Sequence, residues 1–145
     1  MPYQHLIAYA LVAAIGSFPL CAAGFGEAQA AQMAASVQTS NQGGVKITVE
    51  PRGFAPDAKT WDFAITLETH TQPLDDDLAK AATLLADGKT SRPRGWEGAP
   101  PGGHHRKGVL RFEAVTPLPQ AVELQIRRTG EASPRVFRWQ LGPRP

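Results

Sequence analysis

A chain of 145 residues has room for one ordinary domain, and 13 prolines with 14 glycines punctuate it often enough to favour short strands over long helices. A formal charge of +2 is too small to point to nucleic acid. The single cysteine, Cys21, excludes from everything after it a disulfide, a cysteine-ligated zinc, a thiolate copper centre and a cysteine nucleophile.

Residues 6–23 are almost uninterruptedly apolar, with Gly16 and Pro19 late in the run. Ala28-Gln29-Ala30 then fits the small-x-small pattern that leader peptidase cuts. Residues 1–30 therefore read as a secretory signal peptide, although no Lys or Arg precedes the apolar run. The remainder is expected to be exported, periplasmic or secreted. Left uncut, the same run is long enough to span a bilayer and would anchor the domain outside the membrane. No other membrane association is expected.

Residues 31–44 are small and polar and read as a flexible lead-in to a domain of residues 45–143. From there the chain alternates. Val45, Ile47 and Val49 share one face of a strand over residues 45–50, and Trp61, Phe63, Ile65 and Leu67 share one face of residues 61–69. Residues 74–86 mix helix-forming Ala and Leu with a hairpin signal at Asp87-Gly88. They read as a loop or short helical turn to about Ala81, then a strand over 82–86 that returns through residues 89–93. Residues 96–107, with two prolines and three glycines, read as a long loop. Strands follow at 108–115, 121–128 and 135–141, the last burying Phe137, Trp139 and Leu141.

About seven strands at this spacing predict an all-β fold: an immunoglobulin-like antiparallel β-sandwich, with a small closed barrel as the alternative. Charge is divided along it. Residues 31–86 hold four basic and seven acidic side chains, whereas residues 87–145 hold eleven basic and five acidic ones. The division fits either a sandwich whose halves complement each other or an anion-binding face.

Three histidines follow the leader: His70 after the strongest strand, and His104 with His105 in a Gly-rich loop. With Asp77 from the run Asp75–Asp77 they are candidate ligands for Zn²⁺ or Cu²⁺, if their loops meet at one end of the sandwich. Adjacent histidines on a strand point to opposite faces, and Arg106 with Lys107 repels a cation. The bland reading is that a histidine pins its loop by a hydrogen bond, and that the aspartates are solvated or cap a helix. Trp96 and Glu97 are candidate contacts for a sugar or peptide, with Arg106 a third. Trp96 fits equally well as a lid over the core. Ser36, Ser40, Ser91 and Ser133 lack a nucleophile-elbow context, and no P-loop or dinucleotide fingerprint occurs, so no enzyme is expected.

Several motifs occur together: Trp61-x-Phe63, Leu67-x-Thr69-His70, Leu74-x-x-Asp77-Leu78, Trp96-Glu97-Gly98, the run His104-His105-Arg106-x-Gly108-Val109-Leu110-x-Phe112 after Gly102-Gly103, and the closing Arg135-Val136-Phe137-x-Trp139. The set, over residues 45 to 141, resembles an uncharacterised family of exported bacterial and archaeal proteins. That resemblance implies that His70 and His104-His105 act in one place, and it implies no activity. The sequence thus predicts an exported non-enzymatic binding or assembly module without a cofactor, its partner a protein or small ligand. The alternative is a metal-binding protein using His70 and His104 or His105.

Overall fold

The computed structural model describes residues 35–142. The proposed signal peptide, its cut site and Cys21 lie outside the described residues. So do the start of the lead-in and the last residues of the chain.

Among the described residues nine strands and one short helix follow in order: β1 Gln38–Gln42, β2 Val45–Pro51, β3 Thr60–Thr69, α1 Leu78–Ala81, β4 Ala82–Ala86, β5 Lys89–Ser91, β6 Gly95–Gly98, β7 His105–Glu113, β8 Ala121–Ile126 and β9 Arg135–Gln140. They form two antiparallel sheets, ordered β1-β2-β3-β7-β6 and β5-β4-β8-β9. With β1 set aside, these are the A-B-E-D and C′-C-F-G orders of an immunoglobulin-like sandwich. The expected fold class is the one observed, and the described strands form two sheets and no closed barrel.

Period-two alternation builds the interior. Val45, Ile47 and Val49 of β2 pair across to Thr69, Leu67 and Ile65 of β3, so both strands bury the same face. Val122, Leu124 and Ile126 of β8 do the same in the second sheet. Aromatic rings fill the space between the sheets: Phe63 meets Phe112 edge-on at 5.6 Å and Trp139 at 5.5 Å, and Phe54 caps Trp61 at 5.3 Å.

Two expectations are corrected. The lead-in is not wholly flexible, because Gln38–Gln42 pairs with β2 in register. It also reaches the other sheet, where the Gln38 side chain donates to the Arg138 carbonyl and accepts from its N–H, occupying the outer edge of β9. The Trp139 indole N–H donates to the carbonyl of Ser36 at 2.7 Å. The domain therefore begins before Val45.

The stretch 96–107 is not one long loop either. Gly95–Gly98 forms β6, and β7 begins at His105. Gly98 and Gly108 face each other there, and a Cβ on either would lie within 2.6 Å of the other's Cα. The Trp96 ring covers the gap left by the two glycines.

Candidate functional site

The loops after β3, after β6 and after β8 gather at one end of the sandwich, together with the β1–β2 turn. At this end the inward side of the strands stops being apolar. Thr69 continues the inward series of β3, Arg106 opens that of β7, Arg128 extends that of β8 by two residues and Arg135 opens that of β9; all four are buried. A polar layer closes the core here.

Each member of that layer holds loop backbone. Arg106, 1% exposed, donates to the carbonyls of Leu74 and Asp76 at 2.8 Å and of Ala99 at 3.3 Å. Its guanidinium lies 5.7 Å from the Trp96 ring centre. Burial draws its pKa down, against the charges of Asp76, Asp75 and Asp77. Arg128 donates to the Asp76 carboxylate at 3.0 Å and to the Pro73 carbonyl at 2.7 Å. Arg135 ties the β1–β2 hairpin to β9 through the carbonyls of Ser40, Gln42 and Val45, and pairs with Glu131. Thr69 donates to the Gly44 carbonyl and accepts the N–H groups of Thr71 and Gln72. Buried guanidinium groups are tolerated where carbonyls and carboxylates meet their donors, as they do here except at the Arg106 Nε, which has no partner among the described residues. Residues 70–77, which contain no regular structure, are held from both sheets.

On the outer face of the first sheet, beside this loop, lies an open groove of about 780 Å³. His70, His104 and His105 all line it, together with Asn41, Lys46 and Glu68. Its floor is one cross-strand row, Asn41–Lys46–Glu68–His105, running over β1, β2, β3 and β7. Lys46 Nζ lies 2.5 Å from a Glu68 carboxylate oxygen, and His105 Nδ1 lies 3.9 Å from the other. The Lys46 hydrogen bond, against the effect of burial, holds the Glu68 carboxyl below its usual range, with the charges of Lys46, His105 and His70 adding to it. At neutral pH Glu68 is therefore a fixed anion, not a proton donor. His104 is set by its own carbonyl, which accepts the Thr69 N–H at 2.9 Å. The β1–β2 turn approaches so closely that a Cβ on Gly44 would fall 2.7 Å from the Thr71 hydroxyl.

The other candidates lie elsewhere. Asp77 does not join the histidines: it accepts the Ala79 N–H at 3.1 Å as the N-cap of α1 and pairs with Lys80. Those bonds, the one from Lys80 foremost, hold its carboxyl low. Among the described residues no group of three or more His, Cys, Asp or Glu side chains is placed to hold a metal ion. Trp96 turns inward from β6, half-buried, and its indole N–H donates to the Ala99 carbonyl at 2.9 Å. It packs against the edge of the core as a lid does. Glu97 pairs with Arg111, whose guanidinium is also bidentate to Asp62. Arg106 faces the interior and is not a ligand contact. Glu68 and Lys46 were missed because each reads as an ordinary outward charge on its strand; only the register places them beside His105.

The chain matches no family model, no curated protein and no solved structure. The reading of the site rests on its geometry.

Proposed function

We propose that this chain is an exported, non-enzymatic binding or assembly module whose contact surface is the loop end of the sandwich, centred on the groove of His70, His104 and His105. One observation carries the reading: His70 and His104 from two separate loops, with His105 from the start of β7, line a single groove beside a loop that buried Arg106 and Arg128 hold in place. A surface fixed before contact loses little conformational freedom on binding, which favours recognition. Adaptable polar groups on loops above a rigid sandwich are a recurrent arrangement for binding. The ionised, lysine-paired Glu68 supports binding over general-acid chemistry.

Photo-cross-linking in the native host tests this. A photoreactive residue at position 71, on the groove, is expected to give a discrete adduct that His70→Ala with His105→Ala abolishes. The same probe at position 89, in the hairpin at the far end, is expected to give none. Adducts at both positions, or at neither, would overturn the proposal.

A further inference from the structure

A second depression lies on the opposite side of the pinned loop, over the second sheet. Open to solvent, it holds about 490 Å³ between residues 75–77, α1, β4 and the segments following β5 and β8. Four cations line it, Lys80, Arg92, Arg127 and Arg128, against the three acids Asp75, Asp76 and Asp77.

Two of the three acids are committed. Asp76 takes the Arg128 guanidinium and the Thr129 N–H, and Asp77 takes Lys80 and the Ala79 N–H. Asp75 also lines the cleft and takes no side-chain hydrogen bond or ion pair among the described residues. Arg92 and Arg127 remain, and neither forms an ion pair with a carboxylate among the described residues.

Arg92 is also positioned. Its Nη1 donates to the Lys80 carbonyl at 2.6 Å and to the Ala82 carbonyl at 3.4 Å. Those bonds anchor one corner of a planar fork and leave its other donors for a ligand. Arg127 is fixed at its backbone, where its N–H donates to the Ala81 carbonyl at 3.0 Å. Between them lie Thr83 and Gln125, which pair across β4 and β8 and add a hydroxyl and an amide to the wall. Two guanidinium groups with neutral hydrogen-bonding groups in one open depression match a compact oxyanion, whose charge they would meet by short charge-assisted bonds.

We infer that this cleft is a binding site for the carboxylate or phosphate group of a small ligand, held by Arg92 and Arg127. The site accounts for part of the basic surplus of residues 87–145, and it does not depend on the histidine groove.

The test uses isotope-labelled protein, produced from the full gene, and amide chemical shifts. Inorganic phosphate and succinate are titrated separately at ionic strength matched with sodium chloride. Saturable shifts confined to Thr83, Gln125, Arg127 and Thr129 are expected from at least one probe, and the one that saturates identifies the oxyanion. Arg127→Gln, whose side chain makes no internal hydrogen bond among the described residues, is expected to weaken that probe about tenfold. Arg92→Gln adds a similar loss, whereas Arg94→Gln, outside the cleft, leaves affinity unchanged. Shifts that chloride reproduces, shifts centred on His70 and His105, no saturation with either probe, or affinity unaltered in Arg127→Gln would each overturn the inference.

Discussion

Arg106 and Asp76 meet through main chain and not through opposite charge: the buried guanidinium donates to the Asp76 carbonyl at 2.8 Å. The Asp76 carboxylate is turned the other way and taken by Arg128. One loop residue is thus held by an arginine from each sheet, and it forms a keystone between the two depressions at the loop end.

Replacing Arg106 tests that arrangement. Of its three carbonyl partners, Leu74 also accepts the Gly102 N–H and Ala99 also accepts the Trp96 indole, while Asp76 keeps the fewest alternatives. Arg106→Met is expected to cost about 2–3 kcal/mol in urea denaturation, since a buried acceptor loses its donor. Arg106→Lys should recover only part of this, because an ammonium lacks the planar fork. Stability equal to the wild type in Arg106→Met would contradict the clamp.

Asp76 gives the fold an acid limb. Burial pushes its pKa up, but the Thr129 amide and hydroxyl and Arg128 outweigh that and leave it below the usual carboxylate value. A carboxyl depressed in the folded state stabilises above its unfolded pKa, near 3.9, and loses that contribution as pH falls through the folded value. Stability should therefore decline on acidification below about pH 4. Asp76→Asn should lower stability at pH 7 by about 1–3 kcal/mol and flatten the decline. Melting temperatures recorded from pH 7 to pH 2 decide the matter.

Gly108 is expected to tolerate no side chain. A Cβ there would fall 2.6 Å from the Glu97 carbonyl, the Gly98 Cα and the Trp96 ring. Gly108→Ala should cost about 1–3 kcal/mol as an overpacked site and should shift tryptophan emission to the red as Trp96 is lifted from the edge. Unchanged emission with unchanged stability would show that β6 and β7 absorb the methyl group.

Removal of the first paired strand should be harmful although it takes away no core side chain. A chain beginning at Val45 loses the Gln38 cover on β9 and the Ser36 partner of Trp139, and it leaves β2 as an open edge. Light scattering should show faster aggregation than for a chain beginning near Ala35. Gln38→Ala should produce a weaker form of the same effect.

The alternative of a Zn²⁺ or Cu²⁺ protein is also measurable. With Asp77 committed to α1, addition of either ion is expected to leave the melting temperature where it is. A rise that His70→Ala removes would return the groove to the metal reading.

Much of the fold was legible because a period of two states burial directly: Val45 to Val49, Trp61 to Leu67 and Val122 to Ile126 face inward as their alternation requires. The strands that were not legible are those whose pairing needs no apolar side. Residues 38–42 (QTSNQ) join a sheet by backbone and amide bonds, and residues 95–98 (GWEG) offer one large side chain between glycines. The convergence of His70 with His104 and His105 was anticipated, whereas the removal of Asp77 depends on a capping bond that no spacing announces. The buried arginines carried a signal that was passed over. Arg106, Arg128 and Arg135 each sit two residues beyond the terminal inward residue of their series, namely Gly108, Ile126 and Phe137. Alternation turns Arg128 and Arg135 inward on the strands expected at 121–128 and 135–141, whereas Arg106 falls in the expected loop 96–107 and joins its series only because β7 begins at His105.

The cover that Gln38 places over β9 also gives the molecule a direction. Ser36 lies against Trp139, and Leu141 is bonded to Gln120, so the two ends of the described chain leave on the side away from His70. The described chain thus enters and leaves at the base of the sandwich, and the histidine rim occupies the opposite end.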